Sequence, residues 1–259
     1  MTRATYVTTT RLQLLKEQIT ERDQRILADV ATFRVMSGRQ LQRLHFHTTD
    51  GRSAEGRAAR RALLRLSEHQ LLQPLERRVG GVRGGSAGHL YVLGAAGVRL
   101  FGVAARARHR EPGWPFLNHA LALSELYTDL ATDTDTSVLT VETEPSCWRS
   151  FEDTSGVVTI KPDAYLHIER DQRRSHWFIE IDMGTEGSTS IRRKMTRYLA
   201  YANSGHEQRR HAGVVPRVLW HTTNADRATV IERLAAETRG PPGLHVTTGL
   251  LPEPERRNP

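Results

Sequence analysis

Two stretches decide the fold of the second half of this chain: VVTIKPDAYLHI at residues 157–168 and HWFIEIDMGTE at residues 176–186. Both are rich in β-branched and aromatic residues, which predicts a strand in each. Asp163, after a proline, marks a bend in the first strand, while Glu180 and Asp182 close the second. Because alternate side chains of a strand share a face, we expect Glu180 and Asp182 to point the same way.

The segments around these strands alternate between helical and strand-like patterns. Apolar residues at helical spacing predict helices, and short apolar runs bounded by turn residues predict strands. The order is α-β-β-β-α-β-α-β: helix 116–131, strands 138–143, 157–168 and 176–182, helix 189–202, strand 217–223, helix 225–238 and strand 244–248. This order, with acids at the strand ends, resembles the PD-(D/E)xK restriction-endonuclease-like fold.

Nucleases of that fold gather carboxylates around a hard divalent cation, which polarises the phosphate and activates water. The resemblance therefore implies a Mg²⁺ or Mn²⁺ site with Asp163, Glu180 and Asp182 as metal ligands and catalytic residues. Asp182 stands where such nucleases usually carry lysine. Lys194 on the following helix is the preferred substitute for stabilising charge in the transition state. Lys161 is the second candidate, since it would share a strand face with Asp163.

Other residues around this candidate site have more than one interpretation. Lys194, Arg197 and Tyr201 share a helix face by their spacing. Glu186 is expected either to bind metal or to cap the helix that follows it. Glu125 is expected either to complete the metal site or to be an exposed helix residue. The acids are also compatible with a metal-free nuclease fold that only binds or dimerises, and with ordinary surface positions at strand ends.

The charge of the chain is uneven. Residues 1–113 contain 20 Lys and Arg against 9 Asp and Glu, whereas residues 114–259 contain 17 against 20. A basic half joined to a near-neutral half indicates that the first half binds a polyanion. Only three of these cations are lysines, and arginine brings bidentate contacts to phosphate and guanine.

The pattern of the basic half predicts three helices and a β-hairpin. The helices are 21–33, a short one after Ser37, and about 54–69, and strands 72–79 and 89–93 flank the turn GGVRGGSAG. In this order the elements resemble a winged helix-turn-helix, whose third helix enters the major groove. The resemblance implies DNA contacts from third-helix and wing arginines: Arg57, Arg60, Arg61 and Arg65, and Arg77, Arg78 and Arg83. A solvated surface and a protein-docking module are the alternatives.

A closer resemblance, from about residue 20 to 225, is to the replication-relaxation family of plasmids and integrative elements of actinobacteria and other Gram-positive bacteria. Members similarly join an N-terminal winged helix to a nuclease-like half. The matching positions are Pro162-Asp163-Ala164, Phe178-Ile179-Glu180-Ile181-Asp182, Gly184-Thr185-Glu186, Lys194, Tyr198 and His119.

We therefore expect an α/β chain of the α+β type in three segments. These are a winged helix-turn-helix domain at 1–112, a nuclease-like αβββαβ domain at 113–251 and a disordered tail at 252–259. The predicted junction is the cluster Pro112-Gly113-Trp114-Pro115, because proline and glycine interrupt regular structure.

Three functions are compatible with this organisation. The first is a Mg²⁺-dependent nuclease acting on mobile-element DNA in plasmid replication, relaxation or conjugative transfer. The second is a non-catalytic DNA-binding factor that recruits a relaxase or a replication initiator. The third is a winged-helix transcription regulator whose second half dimerises. Double-stranded DNA is the partner in all three, and a homodimer is compatible with each.

Several other classes are disfavoured. Cys147 is the only cysteine, which excludes an intramolecular disulfide framework and a Cys-rich zinc site. The sequence has no GxxxxGK[ST] phosphate loop. It also has no run of eighteen apolar residues and no signal-peptide core. We expect a cytoplasmic protein without a membrane span.

Overall fold

The computed structural model describes residues 8–47, 52–79, 88–102, 113–154, 156–210, 213–241 and 243–249. The chain divides into two compact units, residues 1–128 and 129–259. Both units combine helices with β-sheets, as the predicted α+β class requires. None of the helices in the described ranges is both long and apolar enough to cross a bilayer.

The first unit contains the three predicted helices and the predicted hairpin. It also contains three elements that the sequence patterns did not indicate, namely α1, β1 and α5. In chain order the elements are α1 (Thr9–Gln18), α2 (Glu21–Phe33), β1 (Met36–Ser37), α3 (Gly38–His45), α4 (Arg52–Glu68), β2 (Leu72–Val79), β3 (Gly88–Leu93) and α5 (Ala95–Leu100), followed by α6 (Trp114–Ala131).

Local sequence determines where the helices of the first unit begin. Thr20 and Asp23 form a reciprocal capping box at the start of α2, in which each side chain accepts the other residue's backbone N–H. Ser37 and Gln40 form a second capping box at the start of α3. Strands β1 and β2 pair antiparallel with β3, which gives the order β1-β3-β2.

Helix α6 packs against the first unit. Leu117 and Ala120 lie in one buried cluster with Val35, Leu75 and Leu90. The sequence predicted a junction at residues 112–115, but the compact units divide after residue 128. The two positions differ because a proline–glycine cluster marks only where a helix is interrupted, whereas the buried face of the next helix decides which core it joins.

The second unit is built on a five-stranded sheet of order β10-β9-β8-β7-β4. Strands β4, β7 and β8 pair antiparallel, whereas β8, β9 and β10 are parallel. Its elements are β4 (Thr136–Thr143), β5 (Arg149–Asp153), β6 (Gly156–Ile160), β7 (Ala164–Arg170), β8 (Arg173–Asp182), α7 (Ser188–Asn203), α8 (His206–Arg210), β9 (Arg217–Thr222), α9 (Ala225–Thr238) and β10 (Leu244–Thr247).

The predicted strand 157–168 is wrong as a single element. Its first part is β6, which pairs with β5 in a separate two-stranded sheet, and its second part is β7 in the large sheet. Pro162 separates the two strands, because a proline has no N–H with which to continue a ladder. The side chains on either side of Pro162 therefore do not follow one strand's alternation.

A two-residue turn sets the register between β7 and β8. Asp171 and Gln172 both have left-handed backbone conformations, with φ of 51° and 61°, between the paired residues Arg170 and Arg173. Such a turn matches the twist of the two strands it joins. With this register, Ala164 pairs with Ile179 at the other end of the antiparallel ladder. The residues next to them, Asp163 and Glu180, therefore lie beside each other.

Candidate functional site

Helix α4 presents a basic face. Ala59, Leu63 and Leu66 are buried on its inner side. Arg57, Arg60 and Arg61 are exposed on its outer side. We call these three arginines the α4 basic face. All three side chains lie at the surface of the first unit.

Arg65 is exposed like these three arginines, but it has a buried acidic partner. Its guanidinium donates to both carboxylate oxygens of Asp23, at 2.6 and 2.7 Å. Asp23 is only 1% exposed and also caps α2. A bidentate pair with a buried acid holds α4 against α2, so Arg65 has a positioning role that its sequence spacing did not indicate.

The arginines of the predicted wing are less fully described. Arg77 and Arg78 lie on β2, and the sequence prediction placed them there. Arg83 lies outside the described residues.

In the second unit, Asp163 immediately precedes β7 and lies beside Glu180 on β8. Asp163 accepts a hydrogen bond from the backbone N–H of Ile181 at 2.7 Å, and its own N–H donates to the carbonyl of Ile179 at 2.9 Å. These bonds fix Asp163 at the edge of the ladder, close enough that its charge raises the pKa of Glu180.

Glu180 is 2% exposed, and both of its oxygens have donors from α7. The ammonium of Lys194 donates to Oε2 at 2.8 Å, and the hydroxyl of Tyr198 donates to Oε1 at 2.6 Å. Burial and the charge of Asp163 raise the pKa of Glu180 to about 7, although Lys194 and Tyr198 act in the opposite direction. This environment therefore favours the protonated form of Glu180 more than water does.

Lys194 bridges two carboxylates. Besides Glu180, its Nζ contacts Oε1 of Glu186 at 2.7 Å. Burial alone would lower the pKa of Lys194, but the charges and hydrogen bonds of the two glutamates outweigh burial and raise it. The side chain is an ammonium at neutral pH. We call Asp163, Glu180, Lys194, Tyr198 and Glu186 the acid–lysine cluster.

Of the two lysines considered from sequence, Lys194 is the one that reaches the acids. Lys161 lies instead over the ring of Trp148, with Nζ 4.4 Å from the ring centroid. The break at Pro162 explains the difference. The sequence placed Tyr201 on the same face of α7 as Lys194. In the structure, Tyr198 instead joins Lys194 at Glu180, and the hydroxyl of Tyr201 donates to Glu207.

Asp182 has partners of its own. Its Oδ2 accepts from Nε of Arg227 on α9 at 2.8 Å, and its Oδ1 accepts from the backbone N–H of Gly184 at 2.6 Å. Asp182 is 4% exposed. Arg227 lies 45 positions away in the sequence, and no local pattern connects it with Asp182. The guanidinium neutralises this acid from within the protein.

The donor set does not fit a divalent cation. Mg²⁺ requires an octahedral set of oxygen ligands, and in the described part of the chain no group of three or more His, Cys, Asp or Glu side chains could hold a metal ion. Both oxygens of Glu180 and both of Asp182 already accept from protein donors.

Glu125, the further acid suggested from sequence, lies in the first unit. It accepts hydrogen bonds from Gln40 at 2.8 Å and from Arg43 at 2.6 Å. These contacts attach α6 to α3. Glu125 therefore has a structural role within the first unit.

Comparison with known proteins identifies a family. The family model described as replication-relaxation matches residues 27–218, well over half of the chain. Neither the curated proteins nor the solved structures contain a match.

Proposed function

The chain belongs to the replication-relaxation family, and from this premise we propose that it is a duplex-DNA-binding factor for the replication or relaxation of a mobile element, acting without hydrolysing DNA. Its first unit binds the duplex. Its second unit carries an internally neutralised polar cluster and serves to recruit a relaxase or a replication initiator.

The observation that carries the proposal is the exposed basic face on α4. This helix is the third in the order α2-β1-α3-α4-β2-β3, and β2 and β3 pair antiparallel. In a winged helix-turn-helix the third helix enters the major groove. Arg57, Arg60 and Arg61 are exposed on it, where they would contact phosphates and base edges.

The charge of the first unit supports the same assignment. Residues 1–128 contain 20 Lys and Arg against 10 Asp and Glu. Such an excess attracts a polyanion and releases counterions when it binds. The charge of Arg65 is neutralised by Asp23, so we assign no phosphate contact to it.

The duplex-binding proposal is tested with the double variant Arg57→Ala/Arg61→Ala. Loss of two phosphate contacts should lower the slope of log affinity against log salt by about 2 and reduce affinity at least tenfold at physiological salt. Fluorescence anisotropy with a labelled duplex measures both. Arg25→Ala is the matched control, because Arg25 is an exposed arginine on α2 that pairs with Glu21. Equal affinity of the double variant and the wild type would refute the assignment.

The non-catalytic part of the proposal is supported by the acid–lysine cluster. Lys194 and Tyr198 donate hydrogen bonds to the carboxylate of Glu180, and Arg227 donates to that of Asp182. A nuclease would need these acids to face a metal ion and a phosphate. The convergence of Asp163, Glu180 and Lys194, as the nuclease resemblance implies, favours the nuclease alternative.

Incubation of the protein with supercoiled and single-stranded DNA tests this alternative. With Mg²⁺ or Mn²⁺ we expect no cleavage, and no change in thermal midpoint on adding either ion, because binding to the folded state would raise that midpoint. Cleavage by the wild type that is lost in both Asp163→Asn and Glu180→Gln would establish a nuclease and overturn the non-catalytic proposal.

A further inference from the structure

A groove in the second unit lies between the β5–β6 hairpin and α7. Its volume is about 510 Å³. Hydroxyl, cationic and small apolar side chains line it, together with one acid: Val157, Val158, Thr159, Lys161, Thr196, Arg197, Ala200 and Asp153. We call it the β6–α7 groove. None of its lining residues belongs to the acid–lysine cluster.

The cations of this groove lie at the surface, and the ammonium of Lys161 contacts the Trp148 ring. Lys161 and Arg197 are both exposed. Among the ion pairs of the described residues, none involves either side chain, in contrast to Lys194 and Arg227. The hydroxyls of Thr159 and Thr196 add hydrogen-bonding groups to the same lining. The lining contains two cationic side chains and one acidic side chain, Asp153, so its net charge is positive and suited to phosphate groups.

An indole lies next to these cations. Lys161 lines the groove, and its Nζ is 4.4 Å from the centroid of the Trp148 ring. Trp148 is 36% exposed, whereas Trp177 and Trp220 in the same unit are 1% exposed. Proteins bind single strands by combining a cationic groove that follows the backbone with aromatic rings on which bases stack.

We propose that the β6–α7 groove binds single-stranded DNA, with phosphates at Lys161 and Arg197. A base stacks on Trp148 in place of the Lys161 ammonium, which lies over this ring in the free protein. A duplex does not suit this surface, because its bases are already stacked with one another and do not offer a face to the indole. The inference extends the proposed function and rests on it in one respect, since replication and relaxation both expose single strands.

The phosphate contacts are tested with the double variant Lys161→Ala/Arg197→Ala and a labelled oligothymidylate. Each contact to a single strand contributes about 0.7 to the salt slope, so the slope should fall by about 1.4 and the affinity at least fivefold. Arg193→Ala is the matched control, because Arg193 is exposed on the same helix and does not line the groove. Asp153→Asn should tighten binding, since it removes the acid.

The stacking contact is tested with Trp148→Ala, which should weaken oligothymidylate binding at least about fivefold, since base–aromatic stacking contributes strongly to such complexes. Binding should also quench tryptophan fluorescence in the wild type and less in the variant. The thermal midpoint of each variant is measured alongside, and a variant whose midpoint matches the wild type reports on binding alone. Trp148→Phe keeps an aromatic face and should restore part of the affinity.

Duplex binding separates the two proposals. The groove variants should bind a duplex as the wild type does, and Arg57→Ala/Arg61→Ala should still bind oligothymidylate. If duplex binding is absent while oligothymidylate binding depends on the groove, the proposed function fails and this inference stands. Oligothymidylate binding that is absent, or unchanged in all groove variants, overturns the inference.

Discussion

Glu180 is a buried acid held between two donors and a neighbouring carboxylate. Lys194 and Tyr198 donate hydrogen bonds to its oxygens, and the nearby carboxylate of Asp163 disfavours a negative charge on Glu180. A buried charge is tolerated only when it is paired and hydrogen-bonded. The pair with Lys194 meets this requirement, while burial and Asp163 still raise the pKa of Glu180 to about 7.

The raised pKa predicts how stability depends on pH. The unfolded glutamate titrates near its ordinary value and the folded one near 7, so the folded state binds more protons between these values. The contribution of Glu180 to stability is therefore complete below the unfolded pKa and is lost as pH rises through 7, by up to about 3 kcal/mol.

Glu180→Gln should remove this dependence, because the amide does not titrate. Urea unfolding at about pH 5 and about pH 8 measures the difference between the two proteins. Glu237→Gln is the matched control, since Glu237 is half exposed and pairs with Arg192 on the surface. A pH slope that is the same in the wild type and Glu180→Gln would contradict the assignment.

At the scale of the element, α6 shows how burial decides domain membership. The helix begins after a proline–glycine cluster, yet Leu117 is fully buried beside Val35, Leu75 and Leu90. The ring of Tyr127 packs against Phe33 with centroids 4.6 Å apart. Removing α6 would expose this apolar surface to water.

Two fragments test the role of α6. Residues 1–131 should fold with a cooperative thermal transition and bind duplex DNA. Residues 1–112 should melt at a markedly lower temperature or not fold, because the loss of several buried apolar side chains costs several kcal/mol. Circular dichroism melts and duplex anisotropy measure both properties. Equal melting temperatures of the two fragments would show that α6 adds nothing to the first unit.

At the scale of the whole molecule, sequence patterns predicted most elements and the α+β class, because hydrophobic periodicity and capping are local. They also predicted that Lys194 reaches the acids. Local patterns did not predict that Arg65 binds Asp23 or that Arg227 binds Asp182, since each pair joins distant segments. The charge asymmetry was visible in composition, but which arginines remain accessible depends on packing.

The three residues Lys161, Pro162 and Asp163 connect two surfaces that otherwise have separate linings. Lys161 faces the β6–α7 groove, and Asp163 faces Glu180. A ligand that displaces this short, proline-stiffened connector changes the field at Glu180 and hence its proton affinity. By thermodynamic reciprocity, protonation of Glu180 then changes the affinity of the groove for that ligand by the same factor, which oligonucleotide titrations on either side of neutrality would measure.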